Sequence, residues 1–216
     1  MKKMMLIVGT AAALCAGGWM AMDAQPEGAP MEGGMPDMEQ MLAMMDATSK
    51  PDTPQHAMLK QLAGDWVMTA KFKMDPSAPA EVSTGTCKSY FVLGGRQLMC
   101  EVEMDMLFMG RRTEFNGLGM MGFDKATNEF VSTWMDTMGT GQMRQSGTMD
   151  GENIVVEGTT KHPMMGEYTV KNIYKFVEGG YNLEFWEKGE MMGPEFMNTG
   201  VIEYRRAPKK GQVIGG

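Results

Sequence analysis

The sequence predicts an all-β protein, an antiparallel β-barrel of about ten strands, preceded by an N-terminal signal peptide and a flexible linker. Three observations carry that expectation. From Trp66 onward, apolar and polar residues alternate with a period of two rather than with a helical period. Turn-forming residues recur at short intervals, each supplying a positive φ or a proline that blocks ladder bonding. The gaps between strands are too short for parallel crossovers, which take a dozen or more residues and usually a helix, so strands adjacent in sequence pair antiparallel. A run of strands with no helix inside it must close on itself or split into two packed sheets.

The chain opens with Met1-Lys2-Lys3, an uncharged run from Met4 to Ala16, and small residues up to Ala24. These are the three parts of a secretory signal peptide. The apolar run, about thirteen residues, is shorter than the roughly twenty needed to span a bilayer. The expectation is an exported chain, periplasmic or extracellular, cleaved between Gly18 and Ala24, with no transmembrane segment left in it. A lipid anchor on Cys15 is the lesser alternative, because Leu14 is larger than the residue that normally precedes a lipidated cysteine.

Residues 25–55 are rich in Met, Pro, Gly, Asp and Glu and lack aromatics, which suits a linker with one helix over Pro36 to Ala47. The barrel domain is expected over 56–206. It begins with a helical turn from His56 to Ala63 that carries Met58, Leu59 and Leu62 on one side. Ten strands follow, at Trp66 to Met74, Val82 to Leu93, Arg96 to Leu107, Thr113 to Phe123, Glu129 to Met135, Gly141 to Met149, Asn153 to Thr160, Glu167 to Val177, Tyr181 to Lys188 and Met197 to Arg206. Residues 207–216 form a disordered tail. Glycines inside strands, such as Gly117, Gly119, Gly122 and Gly147, mark bends or bulges that let a small barrel curve.

Lys and Arg number 20 against 27 Asp and Glu, for a net charge of −7. Loss of a leader ending at Ala24 removes Lys2, Lys3 and Asp23 and makes the chain slightly more acidic. An acidic barrel without a basic cluster repels phosphate backbones, which argues against nucleic acid as a partner. Cys87 and Cys100 flank the turn Leu93-Gly94-Gly95-Arg96. A two-residue loop there sets Cys100 opposite Ser89 and Cys87 opposite Val102, so both sulfurs share a face on a diagonal. Either a disulfide or two buried free thiols fits that placement.

Gly64-Asp65-Trp66, just after the helical turn, resembles the Gly-x-Trp signature of the lipocalin and calycin superfamily. In that superfamily a basic residue of the last strand packs across the tryptophan. The resemblance implies that role for Arg205 or its neighbour Arg206, with Gly64, Trp66 and Arg205 closing the barrel. Leu62-Ala63-Gly64-Asp65-Trp66, Thr84-Gly85-Thr86, Leu93-Gly94-Gly95-Arg96, Phe115-Asn116-Gly117-Leu118-Gly119, Gly122-Phe123-Asp124, Phe130 to Asp136 and Met138-Gly139-Thr140-Gly141 are similar to the runs of the bacterial family DUF1579. That resemblance implies a calycin-like barrel and a frequent export signal, and no established activity. Some calycin-like relatives bind haem through a histidine late in the barrel. This chain has His56 and His162 and none beyond, so no haem ligand is carried over, and no cofactor is expected.

Two histidines outside strand interiors supply few neutral-pH bases for a nucleophile triad, and with two hairpin cysteines they lack zinc-ligand spacing. The most polar-aromatic cluster is Trp134, Asp136 and Thr140, at a strand end before a flexible turn. It reads as a capped turn or as a rim that orients a ligand's hydroxyl or amine. Phe185, Trp186 and several methionines are candidate cavity lining, and Arg96 is a candidate for carboxylate recognition through its planar fork. Methionine is unusually frequent, at 29 residues. Met35, Met38, Met41 and Met45 would share a helical face and offer thioethers to Cu(I). Because methionine also runs through the barrel region, core filling or compositional habit is the preferred account, and no metal site is expected.

These readings favour a non-enzymatic, exported barrel that binds a small apolar or amphipathic molecule. The alternative is a structural or protein-interaction domain with a filled barrel. An enzyme or a copper-binding protein ranks below both.

Overall fold

The computed structural model describes residues 37–73, 79–108, 110–162 and 166–208. The signal peptide, Met35 and residues 209–216 of the expected tail lie outside them. Within the described residues, helix α1 runs Met38–Ser49 and helix α2 Pro54–Leu62. The strands are β1 (Gly64–Phe72), β2 (Glu81–Val92), β3 (Gln97–Phe108), β4 (Arg111–Asp124), β5 (Glu129–Asp136), β6 (Met143–Asp150), β7 (Asn153–His162), β8 (Gly166–Val177), β9 (Gly180–Gly189) and β10 (Gly193–Arg206). Every predicted strand is present. Each pairs antiparallel with its neighbour in sequence, and β1 pairs with β10, which closes the barrel.

Helix α1 starts on a reciprocal cap. The Gln40 backbone N–H donates to Asp37 Oδ1 at 2.8 Å, and the Asp37 N–H donates to Gln40 Oε1 at 3.2 Å. None of its residues is buried, so local capping rather than packing sets its limits. Met38, Met41 and Met45 stand exposed along it. Residues 44–208 belong to a second compact unit, which holds the barrel. There Lys125 Nζ, on the β4–β5 turn, donates to the carbonyls of Ala47 at 2.6 Å and Lys50 at 3.2 Å and pairs with Asp52 at 2.8 Å. The expected linker is thus helical over its described part, apart from Asp37 and residues 50–53.

Thr53 caps α2, its hydroxyl accepting from the His56 N–H at 3.3 Å, and Pro54 occupies the first turn, where its missing N–H costs nothing. Leu59 and Leu62 are buried, as is His56, whose Nδ1 lies 2.7 Å from Thr53 Oγ1 and whose ring meets the edge of Phe123. The helix therefore plugs one end of the barrel, the end that also carries the β2–β3, β4–β5, β6–β7 and β8–β9 turns.

Closure at that end rests on Trp66, which is buried. Its Nε1 donates to the Leu62 carbonyl at 3.0 Å, and its ring meets Tyr181 edge-on at 5.1 Å. The cation across its face is Arg206, with Cζ 3.9 Å from the ring centroid, and not the expected Arg205. The register explains the correction. Trp66 pairs with Arg206, so the two share a face, whereas Arg205 points the other way and donates to Asn182 Oδ1 at 2.9 Å. Arg206 Nη1 also donates to the Ala63 carbonyl at 2.6 Å. A Cβ on Gly64 would lie 1.8 Å from that Nη1, and Gly64 holds a φ of 146°, so only glycine leaves the guanidinium room at this position.

The β2–β3 turn differs from the expected two-residue loop. Pairing ends at Val92 with Gln97, and Leu93, Gly94 and Gly95 all take positive φ. The register beyond it is nevertheless the predicted one, with Ser89 opposite Cys100 and Cys87 opposite Val102.

Candidate functional site

The inward face of the barrel surrounds a cavity of about 220 Å³. Alternation builds its wall. Val102, Met104 and Met106 come from β3, Leu183 and Phe185 from β9, and Ile202 and Tyr204 from β10, in each case every second residue. Leu62 of α2 and Tyr181 reach it from the closed end, while Phe115 and Trp134 enclose it on the β4–β5 side. Among the described residues, none that lines the cavity carries a charge. Burial pushes the phenols of Tyr174, Tyr181 and Tyr204 above their ordinary range, so they too stay neutral. The wall is thus an apolar surface with a few uncharged polar groups.

Trp134 is held on two sides. Its Nε1 donates to Asp136 Oδ2 at 2.7 Å, and Asp136 Oδ1 accepts from the Met138 N–H at 2.9 Å. Gly119 lies directly across the ladder from it. A Cβ on Gly117 would come within 2.3 Å of the indole, and one on Gly119 within 3.1 Å. The two glycines therefore provide the flat bed on which the ring lies, with Phe115 stacked beyond it at 6.4 Å. Asp136 is thus the orienting partner of the indole rather than a lining group.

Of the other residues singled out in the sequence, Phe185 lines the cavity, and Trp186 does not. They are consecutive in a strand, so only one can face inward. Trp186 lies outside, donating to Glu184 Oε2 at 3.0 Å under Lys171. Thr140 is exposed in the β5–β6 loop, away from the cavity wall. Arg96 is also exposed, and its Nη1 donates to the Leu93 carbonyl at 3.0 Å, so it braces its own turn instead of reaching a ligand. Gly64 and Trp66 close the barrel, and Arg206 replaces Arg205.

Cys87 and Cys100 are free thiols in this structure, with Sγ atoms 3.0 Å apart. The diagonal placement thus brings the two sulfurs into contact across the β2–β3 ladder. Cys100 lines the cavity, and its hydrogen bond with Cys87 lowers its pKa. The same bond, together with burial, pushes Cys87 up, because a second negative charge would sit against the first.

Sequence reasoning missed Gln145 and Asn172, two buried amides in the cavity wall. The signal for Asn172 was its place on the same strand face as Tyr174 and Phe176. Among the described residues, no group of three or more His, Cys, Asp and Glu side chains stands close enough together to hold a metal. No helix among them is long and apolar enough to cross a membrane.

Glu187 lies on β9 beyond Phe185 and outside the cavity lining, and burial raises its pKa against a hydrogen bond from Thr199. At low pH, below the ordinary carboxyl value, Glu187 is protonated in folded and unfolded chains alike and exerts no effect. Above its raised folded value, the buried charge costs stability. Glu187→Gln is expected to raise the melting temperature at about pH 8 and to leave it unchanged at about pH 3. Calorimetric melts of both proteins across that range check the crossover, and an equal shift at both ends would place the effect elsewhere.

Fold and site define a class: a closed, ten-stranded antiparallel barrel of calycin-like architecture with an uncharged interior cavity. Residues 51–206 match the family described as "Protein of unknown function (DUF1579)", and the chain belongs to that family. No curated protein matches the chain.

Proposed function

We propose that this protein is an exported, non-enzymatic carrier that holds a small, neutral, largely apolar molecule inside its barrel. The cavity wall carries the reading. A space of about 220 Å³ bounded by Leu, Val, Met and aromatic side chains, and by no charged group among the described residues, favours an uncharged guest. A space of this size suits a small organic molecule rather than a long lipid chain. The leader-like start of the chain supports export, and the acidic surface supports a partner other than nucleic acid.

The reading is tested by titration calorimetry of the purified protein with indole, 4-propylphenol and 4-propylanisole, each against a charged compound of matched size. Neutral compounds are expected to bind with a negative heat-capacity change, the mark of apolar burial, and the charged ones to bind far more weakly. If no neutral compound binds, the carrier reading fails and the filled, structural barrel takes its place.

A further inference from the structure

The amide pair in the cavity wall carries information about the guest. Gln145 on β6 and Asn172 on β8 both line the cavity, and their exposures are 6% and 8%. Gln145 Nε2 donates to the Val170 carbonyl at 3.1 Å, and Asn172 Nδ2 donates to Gln145 Oε1 at 3.0 Å. A backbone carbonyl only accepts, so the first of these bonds fixes which end of the Gln145 amide is nitrogen. That in turn presents Oε1 to Asn172 and requires Asn172 to offer its nitrogen. The chain of bonds therefore has one direction, and it ends on Asn172 Oδ1. Among the described residues that oxygen is buried and has no hydrogen-bond partner. A buried acceptor without a donor is costly, and it is the terminal group of a chain that a donor would complete.

Resting on the carrier reading, we propose that the molecule held in the barrel has one neutral hydrogen-bond donor, a hydroxyl or an N–H, on an otherwise apolar body, and donates it to Asn172 Oδ1. The donor is neutral because an ammonium group would be stripped of water beside a wall that provides no counter-charge. The guest donates because the unpartnered atom is the amide oxygen of Asn172, which can only accept. Phenols, aliphatic alcohols and indole-like N–H compounds satisfy both conditions. Ketones, ethers and hydrocarbons do not.

The test compares 4-propylphenol with 4-propylanisole by calorimetry, on the unaltered protein and on Asn172→Leu. The two ligands differ by the methyl that replaces the donated hydrogen. To separate size from donation, 4-ethylanisole, an isomer of the phenol without the donor, is run beside them; the anisoles are the more apolar. In a cavity that ignores the donor, anisole therefore binds as well or better. The expected result is a preference for the phenol of about tenfold or more on the unaltered protein, the scale on which a lost hydrogen bond shows in affinity. In Asn172→Leu the preference collapses while anisole binding is kept. Equal binding of the two by the unaltered protein overturns the inference and leaves the carrier reading standing. So does a phenol preference that survives in a folded Asn172→Leu protein. Binding of neither ligand, or of any other neutral compound, overturns both. The comparison on the unaltered protein decides the matter even if the variant does not fold.

Discussion

Trp66→Ala is expected to lower the unfolding free energy by about 3–5 kcal/mol, the range for removing a buried large aromatic side chain. Several contacts go at once: the indole N–H bond to the Leu62 carbonyl, the edge contact with Tyr181 and the cationic cover from Arg206. Against a typical total of about 5–15 kcal/mol, that loss leaves many barrels unfolded near physiological temperature. Arg206→Ala serves as the companion. The exposed guanidinium contributes roughly 0.5–1 kcal/mol over the ring, so its removal gives a much smaller shift. Urea denaturation followed by circular dichroism measures both, and near-equal losses would show that the cation, not the indole, holds the closed end.

Gly117→Val is the second large effect, and it acts on the site as well as on the fold. Even a Cβ at this position meets the Trp134 ring at 2.3 Å, so the indole must leave its bed. The displaced ring loses its bond to Asp136 and moves in the cavity wall. Overpacking of this kind costs about 1–3 kcal/mol, and guest affinity is expected to fall on the order of tenfold or more. Denaturation and calorimetry with 4-propylphenol read the two losses separately. Unchanged affinity in a folded variant would exclude Trp134 from the binding wall.

Most of the fold was legible because a barrel whose strands pair in chain order depends on local signals. Alternation located each strand, Gly, Pro and, between β4 and β5, the run Asp124 to Asn128 located the turns, and symmetry about Gly94-Gly95 gave the register that sets Cys100 opposite Ser89. The site was less legible. Phe185 and Trp186 were both nominated as lining, although consecutive strand residues face opposite sides and strand parity alone excludes the pair. The same parity argument, applied from Trp66 across the barrel seam, separates Arg206 from Arg205, but it needs the register of β1 with β10, which no local turn specifies. Arg96 suggested ligand recognition by its chemistry, and its own turn carbonyl claimed it first. Gln145 and Asn172 stayed hidden because a polar residue in an alternating strand is normally the outward one. Their inward placement is visible only once both strands are folded and each amide is seen to satisfy part of the other.

The seam between β1 and β10 has a consequence for how the chain reaches its folded state. Each of the other nine pairings joins strands adjacent in the chain, so those contacts close small loops. The seam instead joins Trp66 to Arg206, across nearly the whole barrel sequence. Its entropic toll is largest, and the helical plug and indole that secure it are assembled only when the last strand arrives. The seam is therefore expected to form late on the folding route, and φ-values near zero at Trp66 and Ile202 would show that it is absent from the rate-limiting barrier. Interactions formed that late govern the lifetime of the folded barrel far more than the speed of its formation. The Trp66–Arg206 stack is placed where it sets the rate at which the closed barrel opens.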